Sequence, residues 1–121
     1  MHLVCKQCSI RLSNDLQPIP ISQRNTVYGE DFLRHGMVTQ EDGTYFYQRP
    51  GVYIVNLGDV VNVRLTTDPH RLNGCCGLDG CDGPNLQCEN CGTYVATKMT
   101  DCWQLHCIVF DPTTIAQVLE Q

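Results

Sequence analysis

The chain has 121 residues, 42% of them hydrophobic, and a formal charge of −5, which suits one domain with a modest core. No stretch approaches the ~20 apolar residues of a membrane span, and no basic region followed by an apolar core marks an export signal, so a single cytoplasmic domain over residues 1–121 is expected. The charge speaks against nucleic acid: residues 1–78 hold seven acids and seven bases, residues 79–121 hold six acids and Lys98 alone, whereas phosphate recognition needs clustered Lys and Arg.

In chain order, the first feature is Cys5-Lys6-Gln7-Cys8. Ile10 and Leu12 then alternate with Arg11 and Ser13 as a short strand after a turn. Pro18 and Pro20 exclude a helix, and residues 14–30 read as an irregular connection. Glu41-Asp42-Gly43 is a turn, and the aromatic run Thr44-Tyr45-Phe46-Tyr47 fits a pleated sheet. Residues 52–57 and 60–65 form an expected hairpin around Asn56-Leu57-Gly58-Asp59, the second arm alternating Val61, Val63 and Leu65 with Asn62 and Arg64.

From Asp68 to Cys91 the pattern dissolves into Gly, Asp, Asn and Cys, a long loop of the kind that is usually functional or ligand-held. Strand character returns over 93–98 and 103–110. Trp103 is expected as a core anchor with Leu105, Cys107 and Val109 on its face, Cys107 being an inert buried thiol. His106 falls on the opposite face, read as a satisfied histidine. Residues 111–119 predict a short C-terminal helix with Asp111 as N-cap and Pro112 at its first position. The fold class is therefore mainly β: a small antiparallel β domain closed by paired metal knuckles and a terminal helix.

The chemistry lies in the cysteines. Nine of them, an odd number without an export signal, favour reduced thiols and metal over a disulfide scaffold. Cys5 and Cys8, with Cys88 and Cys91, supply two pairs at the spacing that lets a tight turn bring both sulfurs to one ion, and four thiolates fill a tetrahedral shell. Gly92, directly after the second pair, suits the left-handed backbone that turns the chain away from the ion. Such a closed shell is structural, since it leaves no position for water or substrate. The redox use of Cys-x-x-Cys needs a strand before and a helix after it, and neither pair has both. His2 could replace a missing cysteine ligand.

The two pairs resemble the knuckles of zinc-ribbon proteins over residues 5–8 and 88–92, and that resemblance implies zinc. Ribbons set their knuckles a few tens of residues apart, whereas 79 residues separate these. The inserted β domain removes any basis for assigning a ribbon-specific activity.

Gly74, Gly77, Gly80 and Gly83 recur at every third position. An extended loop of polyproline period places them on one ridge; a wound loop instead lets Cys75, Cys76 and Cys81, with Cys102 or His106, hold a second zinc. The simpler reading is a packed loop whose cysteines serve as small apolar residues. A nucleophilic loop cysteine served by His70 or His106, with Asp68 or Asp101 as orienter, is a further alternative, opposed by acidic neighbours that raise a thiol pKa. The Tyr45, Phe46, Tyr47 and Tyr53 cluster reads as cross-strand packing or as a recognition surface. The expected function is a zinc-stabilised interaction or accessory module that binds another protein; the alternative is a thiol-dependent enzyme or redox or metal sensor using Cys75, Cys76 and Cys81.

Overall fold

The computed structural model describes residues 1–119. It is mainly β. Among the described residues nine strands run β1 (His2–Cys5), β2 (Gln17–Pro18), β3 (Met37–Gln40), β4 (Tyr53–Val55), β5 (Val63–Leu65), β6 (Leu86–Cys88), β7 (Tyr94–Met99), β8 (Cys107–Phe110) and β9 (Ile115–Val118). The helical segments among the described residues are single 3-10 turns at Ile21–Gln23, Leu57–Asp59 and Pro69–Arg71.

Seven strands form one sheet in the order β2-β3-β4-β8-β7-β6-β5, and β1 pairs with β9 in a separate two-stranded sheet. All pairings are antiparallel except β2 with β3. At the centre, β8 pairs Ile108 with Val55 and Lys98, and Phe110 with Tyr53 and Ala96. All four residues of β8 are buried, because the sheet is covered on both faces. Successive side chains on a strand point to opposite faces, and β8 shows this division. Ile108 and Phe110 join Leu3, Leu12, Val55, Leu86 and Ile115 in one core, while Cys107 and Val109 join Ile54, Phe32, Leu33 and Leu105 in a second. The β1–β9 sheet contributes Leu3, Cys5 and Ile115 to the first core; the second is closed by irregular chain around Ile21 and Phe32.

Several local expectations are corrected. Residues 115–118 are a strand rather than a helix. Asp111 does open a turn, accepting from the amides of Thr113, Thr114 and Ile115. The chain then extends because Ile115 and Val118 find partners opposite Cys5 and His2 in β1, and a helix this short has little stability of its own. Residues 52–65 do not form a hairpin. β4 lies between β3 and β8 whereas β5 pairs with β6 at the far edge. The link between them is held by buried polar groups: Asn56 donates to the Leu33 carbonyl at 2.7 Å and accepts from the Gly58 amide, and Asp59 accepts from the Gly36 amide at 2.7 Å. Residues 44–47 are turn and bend rather than strand, curled by the buried Glu41 carboxylate, which accepts from the amides of Gly43 and Tyr45 at 2.9 Å each. Tyr45 there packs edge-on against Phe32 and Phe46. Ile10 to Ser13 contribute only isolated bridges, Val4 to Arg11 and Ser13 to Val60.

Candidate metal centre

The first cysteine pair begins at the last residue of β1 and the second at the last residue of β6. The two turns that follow are built alike, hydrogen bond for hydrogen bond. The amide of Cys5 donates to the carbonyl of Ile10 at 2.9 Å, and that of Cys88 to Thr93 at 2.7 Å. The amides of Ser9 and Gly92 return to the carbonyls of Cys5 and Cys88 at 2.8 Å in both cases. Both returning residues have left-handed backbone, φ 66° at Ser9 and 79° at Gly92. Each turn also aims amides at its first sulfur, those of Gln7 and Cys8 at Cys5 and those of Asn90 and Cys91 at Cys88.

The sheet carries the two turns to one place. The Sγ atoms of Cys5, Cys8, Cys88 and Cys91 all lie within 4.8 Å of one another. Cys5 Sγ is 3.6 Å from Cys91 Sγ, and Cys8 Sγ is 3.6 Å from Cys88 Sγ. Sulfurs bound at 2.3 Å to a tetrahedral ion stand about 3.8 Å apart, so this donor set fits a metal ion with little movement. Cys5 and Cys88 are fully buried members of the first core, Cys8 is half-buried and Cys91 is exposed.

Burial pushes the Cys5 thiol up to about 12 and raises that of Cys88. Hydrogen bonds act in the other direction on the second cysteine of each pair. The Asn90 side chain lowers Cys8, and Thr93, whose Oγ1 is 3.2 Å from the sulfur, draws Cys91 down to about 6. The thiolates are thus prepared unevenly: the outer pair ionises readily, and the buried pair requires a cation to offset its desolvation.

The remaining singled-out residues divide. Cys76 and Cys102 meet as a disulfide, which corrects the expectation of nine reduced thiols. Their sulfurs and the Asp101 carboxylate lie within 4.8 Å of one another, but Cys75, Cys81 and His106 are not part of that group. Cys75 and Cys81 are exposed, so they do not serve as buried apolar residues. His106 Nε2 is 3.1 Å from the Asp101 carbonyl, and His70 pairs with Asp68 at 3.1 Å in an exposed position. Cys107 is buried as expected, its thiol pushed up to about 12 by desolvation. His2 lies in β1 opposite Val118, outside the four-sulfur group. Trp103 is 54% exposed rather than a core anchor, because its indole is held in the turn before β8 by Asp101 at 2.9 Å.

The loop of residues 74–83 is wound, not an extended ridge. Gly80 and Gly83 have positive φ, and Gly77 lies against Thr100, where a Cβ would come within 2.3 Å of the carbonyl oxygen. Four contributors were not evident from the sequence: Ser9 as the counterpart of Gly92, Thr93 and Asn90 as donors to sulfur, and Asp101 as the anchor of the glycine loop. Only the first had a signal, its position immediately after a Cys-x-x-Cys pair. No family model, curated protein or solved structure matches this chain.

Proposed function

We propose that this protein is a zinc-stabilised interaction module, in which Cys5, Cys8, Cys88 and Cys91 hold one structural ion and the opposite core supports a surface for another protein. The observation that carries the reading is the convergence of four sulfurs from two matching turns. Four thiolates favour zinc over harder ions and leave it no open coordination position, so the ion would stabilise rather than react.

A partner surface is supported by side chains that the fold leaves out. Tyr28 (66% exposed), Tyr47 (74%) and Trp103 are large aromatic residues at the surface. The segments of Tyr28 and Trp103 are adjacent, since the amide of Gly29 donates to the Gln104 carbonyl at 2.8 Å. Beside Trp103 lies an open groove of about 330 Å³ lined by Tyr45, Phe46, Arg49 and Met99. Trp, Tyr and Arg are the residues most enriched at energetic centres of interfaces. The acidic balance of the chain disfavours a nucleic-acid partner.

Metal analysis of reduced protein tests the first half: about one zinc per chain is expected, lost in Cys88→Ser. Co-purification tests the second. A protein retained by the wild-type chain and released by the combined Tyr28→Ala, Tyr47→Ala and Trp103→Ala substitutions, with zinc content unchanged, supports the surface; equal retention by both counts against it.

A further inference from the structure

Apart from the four-sulfur group, the Cys76–Cys102 disulfide is, among the described residues, the other place where two cysteines meet. It spans 26 positions and joins the glycine loop to the turn before β8. Both of its cysteines are exposed. Asp101 between them has no exposed surface. Its carboxylate accepts from the amides of Cys75 at 2.9 Å, Cys76 at 3.2 Å and Cys102 at 2.8 Å, and from the Trp103 indole at 2.9 Å.

The loop is fastened in other ways too. Leu78 donates to Thr100 Oγ1 at 3.0 Å and its carbonyl accepts from the amides of Thr100 and Asp101, while Gln104 Nε2 donates to the Asp79 carbonyl at 2.7 Å. None of these bonds is made by the sulfur of Cys76 or Cys102. When the disulfide opens, the same contacts keep the two sulfurs facing each other, so closure stays intramolecular and favourable. The open state is provided for as well: Cys76 Sγ lies 3.1 Å from Asp101 Oδ1, where a reduced thiol donates to the carboxylate.

We propose that Cys76 and Cys102 form a reversible thiol–disulfide exchange site whose partner is a small-molecule thiol. The thiolate of one small thiol attacks a sulfur of the bridge. The S–S bond breaks, its electron pair leaves on the other cysteine, and that cysteine takes a proton from water. A second small thiolate attacks the sulfur of the small molecule in the mixed disulfide, releasing the first cysteine, which is protonated in turn. The products are two cysteine thiols and one small-molecule disulfide, the two electrons coming from the small thiols; the reverse sequence closes the bridge. A redox event here acts beside Trp103 and the groove, at a place distinct from the metal centre.

The test uses the full chain with its metal in place, equilibrated with mixtures of reduced and oxidised glutathione, quenched in acid, alkylated and mapped by mass spectrometry. Alkylation of Cys76 and Cys102 is expected to rise together, from under about a tenth to over about nine-tenths, along one curve from either starting state. Metal content should not change, and Trp103, the one tryptophan of the chain, should change its emission with the same midpoint. Cys76→Ser should abolish the emission change, while Cys75→Ser and Cys81→Ser should leave it in place. A bridge that millimolar glutathione fails to open in the folded chain overturns the proposal by making the disulfide purely structural. So does a pair that never closes, or one whose opening is accompanied by uptake of a second metal ion. Because zinc content is read separately, failure here leaves the four-cysteine reading intact.

Discussion

Ser9 and Gly92 occupy the same place in two copies of one turn: each follows a Cys-x-x-Cys pair, each has positive φ, and each returns its amide to the first cysteine's carbonyl at 2.8 Å. Only one of the two is a glycine. A left-handed conformation costs a residue with a side chain roughly 1–2 kcal/mol, so the substitutions Ser9→Gly and Gly92→Ala should act in opposite directions. Denaturant unfolding of the metal-loaded protein is expected to show Ser9→Gly stabilised by about 0.5–1 kcal/mol and Gly92→Ala destabilised by about 1–2 kcal/mol. Loss of stability in both would mean that the turns are not equivalent.

Removing the metal should remove the fold. Cys5 and Cys88 sit within the first core, and binding of structural zinc contributes on the order of 10 kcal/mol, comparable to the whole stability of such a domain. Chelation, or Cys88→Ser, is expected to abolish the near-ultraviolet circular dichroism in one cooperative step. Acid should act the same way as protons displace the ion from its thiolates. An apo-protein with its native signal would refute the structural role.

Phe110 is the large side chain at the middle of the seven-stranded sheet, fully buried in the core shared with the metal turns and paired with both Tyr53 and Ala96. Phe110→Ala is expected to cost about 3–5 kcal/mol in denaturant unfolding. The variant should also hold a metal ion at the four cysteines more weakly, because the same core supports both Cys-x-x-Cys turns.

Gly77 and Gly36 separate two reasons for glycine. A Cβ at Gly77 would lie 2.3 Å from the Thr100 carbonyl oxygen, whereas at Gly36, with φ 84°, it would meet nothing within 4 Å. Gly77→Ala must therefore displace the loop from β7's end. Amide exchange of Leu78, Thr100 and Asp101 should quicken by about tenfold or more. Gly36→Ala pays only for backbone strain, about 1 kcal/mol, and should leave those amides unchanged.

Asp101 sets the acid sensitivity of the glycine loop. The Cys75 amide first, against the opposing effect of burial, and then the amides of Cys76 and Cys102 with the Trp103 indole hold its carboxyl below the ordinary carboxylate range. A carboxyl depressed by folding contributes stability that is complete above its unfolded value, about 3.9, and is lost as pH falls through the lower folded value. Trp103 emission should thus carry no Asp101-dependent change between pH 7 and about 4 and a fall below it. Asp101→Asn is expected to remove that acid step and to loosen residues 74–81 already at neutral pH. An acid step unchanged in the variant would assign it to other groups.

The sequence by itself determined the two Cys-x-x-Cys turns, the mainly β class and the buried strand around Cys107 and Val109. These are local signals: a two-residue spacing, a glycine after it, and alternation or continuity of apolar side chains. Tertiary structure decided the rest. Ile115 to Val118 became a strand because their backbone pairs antiparallel with β1, and Tyr53 to Val55 left the expected hairpin because Asn56 and Asp59 had buried partners in residues 33–36. Trp103 stayed outside because Asp101, two residues away, fixes its indole. The meeting of Cys76 and Cys102, which the sequence offered only as part of a second metal group, is a disulfide because of a loop wound by close glycine contacts and anchored on one buried carboxylate. Residue spacing identifies ligands within a single turn; which distant groups meet is set by strand pairing and by the satisfaction of buried polar groups.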